Sequence, residues 1–282
     1  MSHDRTPAAQ SPAQAPAQAP EGYDAGEYPV FFVTVDTAIF TVRDGALKLL
    51  LVQRQDDPYA GCWALPGGFK NPDETLDEAA WRELAEETGV RPTGWHLEQL
   101  GSFGDPRRDP RGNIVTVTYV AFAPDLPDPV AGSDARDARF WDVDDLDLPS
   151  LQGGNHDRGL EDAPELAFDH TVIAARAVDR VAAKLEYTTL ATAFCRPQFT
   201  LGELQHVYEA VWGVRLDRSN FRRWVQQTTG LVRPADTDTR RTSGGRGRPA
   251  ALFEARSELG TLYPPLLRPD DARALRPAKE TR

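Results

Sequence analysis

The sequence contains few cysteines and no long apolar run at its start. Its two cysteines, Cys62 and Cys195, lie in different predicted domains and lack metal-ligand spacing. This usage argues against a disulfide framework and against a zinc site. The first 27 residues are rich in proline, alanine and glutamine, without the hydrophobic stretch of a signal peptide or membrane helix. We therefore expect a cytoplasmic protein that makes no use of a membrane.

The length of the chain exceeds that of one typical domain, since it has 282 residues, of which 40% are hydrophobic. Composition and pattern predict two folded domains between two tails. These are a disordered N-terminal tail at residues 1–27, an α/β domain at 28–187 that includes a closing or linker helix, a second domain at 188–258, and a largely disordered tail at 259–282.

Apolar segments predict the strands of the first domain. Two of them flank Asp44-Gly45, a turn signal, and are expected to pair. Strands arranged around helices predict an α/β layered architecture. The predicted strands are residues 31–42, 47–54, 114–123 and 138–143. Residues 168–187 are predicted to form the closing or linker helix.

Residues 68–90, GFKNPDETLDEAAWRELAEETGV, hold carboxylates, an arginine and glycines at fixed spacing. At about 100° per residue, a helix that begins near Thr75 carries an apolar stripe that continues into glutamates. Its members are Leu76, Ala79, Ala80, Glu83 and Glu87. Inward carboxylates are costly unless a cation such as Mg²⁺ or Mn²⁺ compensates them. The pattern favours a divalent-metal site over a solvated acidic helix, which carries its charges on the polar side.

The residues that flank this helix fit the same interpretation. Gly68 supplies a bare backbone that can approach a ligand or offer a carbonyl to the metal. Asp73 or Thr75 can cap the helix start, and Gly89 stands where a left-handed residue commonly ends a helix. Arg82 is placed to orient Glu83, and Glu74 is a candidate salt-bridge partner near the loop.

The segment resembles the Nudix box of the Nudix hydrolase superfamily at every defining position. The resemblance implies an α/β/α sandwich with a mixed sheet, and metal-assisted attack of water on a diphosphate. It implies Glu83, Glu86, Glu87 and the Gly68 carbonyl as metal ligands, and Arg82 with the three glutamates as the catalytic group. The general base varies among members of the superfamily, and Glu83 is the first choice here.

A loop at residues 102–113 sets arginines among aspartates and prolines. Their planar fork can grip phosphate oxygens through two bonds, although a surface ion-pair loop would have the same composition. The loop resembles those of ADP-ribose pyrophosphatase-like Nudix proteins, which implies ADP-ribose or a related NAD-derived ligand. The candidate substrate-binding residues are Arg54, Arg107, Arg108 and Arg111.

The second domain begins with the capping-box pattern Thr200-x-x-Glu203, followed by apolar residues at helical spacing up to Gly213. Asp217 can cap a second helix with a basic side. Two short helices of this kind predict a helix-turn-helix. Residues 231–233 and 250–255 can pair as strands around a basic wing at 240–249. The candidate DNA-binding residues are Arg218, Ser219, Arg222, Arg223, Arg240, Arg241, Arg246 and Arg248.

Charge is distributed unevenly along the chain. The net charge is −11, yet residues 187–256 contain eleven arginines and six acidic residues, a local balance of +5. A basic domain within an acidic protein is the electrostatic signature of binding to a phosphate backbone. The alternative is a helical dimerisation or lid module with a solvated basic face.

Together the two domains resemble the Nudix-related transcriptional regulators of NAD metabolism. The resemblance implies a winged helix-turn-helix domain, a homodimer that binds operator DNA, and control by ADP-ribose or a related metabolite. The box is intact here, which leaves hydrolysis open. The sequence thus predicts a metabolite-responsive regulator with a metal-competent Nudix domain, and the alternative is a pyrophosphohydrolase with an accessory C-terminal domain.

Overall fold

The computed structural model describes residues 19–88, 96–124, 126, 128–129, 135–149, 160, 162–236, 250–256 and 260–269. Within these ranges, no helix has the length and apolar character needed to span a membrane. The chain divides into two units, Met1–Val30 and Phe31–Arg282. The first unit, where described, holds a short 3-10 helix at Ala25–Glu27 that Asp24 caps. Most of the predicted N-terminal tail lies outside the described residues.

Seven strands of the second unit form one mixed sheet, in which β1 is central. It pairs antiparallel with β2 and β4 and parallel with β6, while β7 and β3 extend the β2 side and β5 extends the β6 side. The strands are β1 (Phe32–Arg43), β2 (Ala46–Arg54), β3 (Trp63–Ala64), β4 (Gly67–Phe69), β5 (His96–Phe103), β6 (Ile114–Phe122) and β7 (Ala135–Asp142).

The predicted hairpin of the first two strands is confirmed. Asp44 and Gly45 both have positive φ, 53° and 78°, as a two-residue hairpin turn requires. Phe40 then lies opposite Leu49 in the antiparallel ladder. The strands predicted at 114–123 and 138–143 correspond to β6 and β7, of which β7 begins three residues earlier than expected.

One helix covers each face of the sheet. Helix α1 (Leu76–Thr88) packs on one face, where Leu84 joins Ile39 and Leu50. Helix α2 (His170–Tyr187) packs on the other, where Ile173 and its neighbours join Phe40 and Leu49. Because successive strand residues point to opposite faces, neighbours such as Ile39 and Phe40 serve the two different layers. The α/β/α sandwich predicted from the sequence is confirmed.

The C-terminal part continues the core beneath α2. A 3-10 helix at Thr189–Phe194 leads to α3 (Leu201–Trp212), α4 (Arg218–Gln227) and a small sheet of β8 (Val232–Pro234) and β9 (Phe253–Ala255). The capping box of Thr200 and Glu203 is formed, and Gly213 ends α3 in the left-handed conformation. The predicted tip of the wing, residues 240–249, lies outside the described residues.

Residues 260–269 differ from the disordered tail expected from residue 259 onward. The N–H of Leu262 donates to the Tyr187 carbonyl (2.8 Å), and the N–H of Thr229 donates to the Tyr263 carbonyl (3.3 Å). The side chain of Leu262 is 2% exposed. These contacts hold the segment against the end of α2 and the end of the helix-turn-helix. The local composition of the segment does not predict them.

Candidate functional site

The start of α1 fixes the orientation of the acidic helix. The hydroxyl of Thr75 accepts the N–H of Glu78 (3.2 Å), and the carboxylate of Glu78 accepts the N–H of Thr75 (2.7 Å). This reciprocal pair is a capping box, so of the two predicted caps it is Thr75 that serves. Ala79 and Ala80 are fully buried on the inward face, and Glu83 is carried inward with them at 8% exposure.

Arg82 binds the carboxylates of this segment together. Its guanidinium donates to Glu74 (2.7 Å), Glu83 (2.6 Å) and Glu86 (3.1 Å), and to the carbonyl of Phe69 (3.0 Å). The pKa of Glu74 falls to about 2, chiefly because Arg82 hydrogen-bonds to it. Both predicted relationships of Arg82, with Glu83 and with Glu74, are present. The arginine therefore ties the loop that precedes α1 to its inward carboxylates.

Gly68 lies directly against the Glu83 carboxylate. A Cβ atom at Gly68 would be 2.3 Å from Oε1 of Glu83, so this close approach requires glycine. Burial raises the pKa of Glu83, and this effect outweighs the hydrogen bond from Arg82. A buried carboxylate beside an accessible backbone is a fitting donor set for Mg²⁺ or Mn²⁺.

The third glutamate of the motif, Glu87, has a side chain outside the described set. Glu86 is exposed and reaches Arg82. Among the residues that the structure describes, no three His, Cys, Asp or Glu side chains form a ready-made cage for a metal. Glu83, Glu86 and the Gly68 backbone are thus brought together as expected, and they would hold the ion with help from water or a ligand.

A cavity of about 490 Å³ opens beside this acidic cluster. Its lining carries both carboxylates and guanidinium groups. A metal bound to a diphosphate combines the two charges that such a cavity complements. Residues that line it include Asp36, Arg54, Gly67, Gly68, Phe69, Arg82, Glu83, Glu86, Arg108, Asp109, Arg111, Phe168 and His170.

A buried polar cluster forms part of the cavity wall. Arg108, 7% exposed, makes two parallel hydrogen bonds to Asp169, at 3.0 and 2.8 Å, and lies 3.8 Å from Asp36. Asp36 accepts the Thr116 hydroxyl at 2.5 Å. The guanidinium of Arg108 therefore lies near two carboxylates, those of Asp169 and Asp36, which come from distant parts of the chain.

His170 connects this cluster to the glycine loop. Its Nδ1 accepts the N–H of Leu65 (2.9 Å), so a neutral ring carries its proton on Nε2, 3.7 Å from Asp36. Burial lowers the pKa of His170, although Asp36 opposes that shift. His170 therefore positions the backbone that leads into Gly68.

Two arginines and an aromatic ring form another part of the cavity lining. The guanidinium carbons of Arg54 and Arg111 lie 5.0 and 5.4 Å from the ring centre of Phe168. Arg111 also lies over Phe69 (5.2 Å) and pairs with Asp109 through two bonds, at 3.0 and 2.7 Å. Burial and the nearby charge of Arg111 lower the pKa of Arg54. The mutual repulsion of the two cations favours an anionic ligand.

The four predicted substrate-binding arginines have different positions. Arg54, Arg108 and Arg111 line the cavity, whereas Arg107 is exposed and is absent from the lining. Arg108 lies deeper than expected, because Asp169 holds it in the wall. The sequence did not predict Asp36, Phe168 or His170 as residues of the site. For Asp36, a carboxylate within the apolar run of residues 35–40 was the one local signal of such a role.

The helix-turn-helix presents an arginine-rich surface on α4. Phe221 and Val225 are buried, and Asp217 caps the helix by accepting the N–H of Asn220 (2.8 Å). The opposite side is exposed and holds four of the predicted DNA-binding residues, Arg218, Ser219, Arg222 and Arg223. The other four, Arg240, Arg241, Arg246 and Arg248, lie outside the described residues.

Comparisons with known proteins support both halves of the chain. Residues 33–162 match the NUDIX domain, and residues 193–255 match the NrtR DNA-binding winged helix domain. The chain is 37% identical over 233 residues to the ADPR responsive transcriptional repressor NtrR of Acinetobacter baylyi, which covers 82% of this chain and 84% of that protein.

Two further relatives match a larger and a smaller share of the chain. The crystal structure of Shewanella oneidensis NrtR complexed with a 27mer DNA has a TM-score of 0.62 and 35% identity, over 79% of this chain and 93% of that chain. The ADP-ribose pyrophosphatase of Methanocaldococcus jannaschii is 38% identical over 128 residues, 45% of this chain and 63% of that protein. The chain therefore belongs to the NrtR family, in which a Nudix domain is followed by a DNA-binding winged helix domain.

Proposed function

We propose that this protein is a transcriptional repressor that binds operator DNA through its winged helix and releases or retains it according to the concentration of ADP-ribose. The observation that carries the proposal is the pairing, in one continuous core, of a cavity lined by carboxylates and guanidinium groups with an exposed arginine helix. The repressor of Acinetobacter baylyi, whose name includes its response to ADPR, supports this assignment.

The DNA-binding role rests on α4. Its buried side packs into the helix-turn-helix, which leaves Arg218, Arg222 and Arg223 exposed together. A helix that presents arginines at four-residue steps suits entry into the major groove and contact with the flanking phosphates. We propose that the protein acts as a homodimer, because an operator with two half-sites is read by two such helices.

The ligand role rests on the cavity, whose lining carries both carboxylates and guanidinium groups. Glu83, Glu86 and the Gly68 carbonyl would hold Mg²⁺ or Mn²⁺, which neutralises phosphate oxygens and acidifies bound water when present. Arg54 and Arg111 would receive the remaining phosphate charge. Phe168 packs against both guanidinium groups and Phe69 packs against that of Arg111, so aromatic rings support the two groups that would bind a diphosphate.

The decisive experiment measures both sites together. A fluorescein-labelled duplex from the region upstream of the gene's own operon is titrated with the full-length protein, and anisotropy is followed with and without ADP-ribose and Mg²⁺. Sequence-preferring, salt-dependent binding that changes with ADP-ribose is the expected result. Absence of any preference over an unrelated duplex of equal length would reject the DNA-binding role.

A second candidate function is hydrolysis of ADP-ribose, which the intact arrangement of Gly68, Arg82 and Glu83 favours. The chain would hold the diphosphate and the metal, and Glu83 would be a candidate to accept the proton of the attacking water. The test is release of AMP from ADP-ribose in the presence of Mg²⁺ or Mn²⁺. No release of AMP, with Glu83→Gln behaving identically, would reject this activity.

A further inference from the structure

The segment that joins the cavity to α2 has an unusual conformation. Phe168, which lines the cavity, has a φ of 55°, in the left-handed region that non-glycine residues rarely adopt. Asp169 and His170 follow it directly, and α2 begins at His170. The cavity wall therefore runs directly into the first turn of α2, and Phe168 in that wall has a strained backbone conformation.

Asp169 stands at the N-cap of α2 but does not cap it. Aspartate is among the best N-caps, because its carboxylate accepts the N–H of the second or third helical residue. Here its side chain makes no such bond, since both carboxylate oxygens are held by Arg108. The N–H groups of His170 and Val172 already donate to the carbonyls of Ala167 and Asp169. The carboxylate thus has two alternative partners, the guanidinium of Arg108 and the N–H of Thr171, the second residue of α2.

Arg108 stands between Asp169 and the cavity. Arg108 lines the cavity and Asp169 is not part of the lining, so a bound anion would meet the guanidinium and reach Asp169 only through it. A diphosphate competes well for a guanidinium, because both phosphate and carboxylate fit its planar fork. Asp36, 3.8 Å away, remains as a counter-charge when Arg108 turns toward a ligand.

The far end of α2 is attached to the DNA-binding domain. The indole N–H of Trp212, at the end of α3, donates to the Ala182 carbonyl at 3.0 Å. Residues 260–269 add backbone bonds from Tyr187 to the segment that also contacts Thr229, just beyond α4. With eighteen residues, α2 spans roughly 27 Å between these two ends.

We propose that the Arg108–Asp169 pair is a ligand-sensitive latch. Without a nucleotide, Arg108 holds Asp169 away from the helix; with a diphosphate on Arg108, the carboxylate caps α2 and the helix start shifts. The shift is passed along α2 to Trp212 and the helix-turn-helix. This latch deepens the proposed function and rests on it, with Asp169 as a positioning residue that touches no ligand. It supplies the two discrete states that coupling between sites requires.

The test uses full-length Asp169→Asn, which removes the charge that holds Arg108 yet keeps a side chain able to cap. The variant without ADP-ribose is expected to bind operator DNA with the affinity of the ADP-ribose-saturated wild type. Its DNA affinity should change less than about twofold on adding ADP-ribose, and ADP-ribose should bind about threefold or more tightly than to the wild type. Asp162→Asn, an exposed charge loss in the preceding loop, is the matched control and should respond like the wild type.

A measurement on the wild type covers the case in which the variant folds poorly. Amide hydrogen exchange at Thr171, the second residue of α2, should slow on addition of ADP-ribose as Asp169 becomes its acceptor. A full wild-type response in Asp169→Asn, or unchanged exchange at Thr171 while DNA affinity changes, would overturn the latch and leave the proposed function standing. A wild type whose DNA affinity ignores ADP-ribose would instead reject the proposed function.

Discussion

Gly68 and Glu83 are in such close contact that no side chain fits between them, since a Cβ atom at Gly68 would lie 2.3 Å from Oε1 of the carboxylate. The two residues come from different elements, β4 and α1, and both line the cavity. The glycine is thus required by the position of the glutamate, besides any freedom it gives to the loop.

Gly68→Ala is expected to displace the Glu83 carboxylate and weaken Mn²⁺ binding by about 10- to 100-fold, the usual effect of disturbing the support of a metal ligand. Calorimetric titration with Mn²⁺ measures the loss. Gly101→Ala is the control, because its added methyl group would meet no atom within 4 Å. Equal Mn²⁺ affinity in the two variants would show that the contact with Glu83 has no part in holding the ion.

The sequence sufficed for α1 and its inward glutamate because the information there is local. Helical spacing places Ala79, Ala80 and Glu83 on one side, and burial of all three confirms it. Likewise, turn residues and apolar runs were enough for the hairpin of β1 and β2.

The remainder of the site depends on contacts between distant segments. Asp169 meets Arg108 across sixty-one positions of sequence, and no local pattern encodes that pairing. Strand β5 was missed because its side chains are only partly buried, which leaves no clear alternation of apolar and polar residues. The short strand β4 was also missed. It overlaps the start of the motif at residues 68–90, where the glycines predicted a loop.

The α4 surface gives a prediction about salt dependence. Arg222→Ala is expected to weaken binding to the operator and to unrelated duplexes by similar factors, and to reduce the slope of log affinity against log salt by about 1. Anisotropy titrations at several NaCl concentrations measure that slope. Arg43→Ala, on β1, is the control and should leave it unchanged. A loss confined to the operator would instead assign Arg222 to a base edge.

Glu98 gives a prediction about pH. Burial raises its pKa, but hydrogen bonds from His96 and Lys184 outweigh that effect, so its pKa is lowered below the ordinary value of 4.5. A lowered pKa in the folded state adds stability above about pH 4.5 and loses it as the pH falls through the folded value. Glu98→Gln should therefore cost about 1–2 kcal/mol at pH 7. Denaturant unfolding measures the difference in unfolding free energy between the wild type and Glu98→Gln. That difference should be smaller below pH 4 than at pH 7.

The matched control for Glu98→Gln is Glu27→Gln, an exposed position in the first unit. Its unfolding free energy should follow the wild type at both pH values. A Glu98→Gln deficit of equal size at low pH would mean that side-chain shape, and not the charge of Glu98, supports the contact between β5 and α2.

Replacement of tyrosine by phenylalanine should change the free energy of unfolding in opposite directions at two buried positions. The hydroxyl of Tyr208, in the core of the helix-turn-helix, is buried without a hydrogen-bond partner among the described residues, whereas the hydroxyl of Tyr119 donates to Asp77 at 2.5 Å. An unsatisfied buried hydroxyl costs about 1–3 kcal/mol, so Tyr208→Phe should raise the free energy of unfolding. Tyr119→Phe breaks a hydrogen bond to a carboxylate and should lower the free energy of unfolding by about 1–2 kcal/mol.

Each of these two variants is the control of the other, because both remove one oxygen from a buried ring. Urea unfolding of the full chain measures both, and a loss of stability in Tyr208→Phe as large as that in Tyr119→Phe would show that the Tyr208 hydroxyl is satisfied in solution.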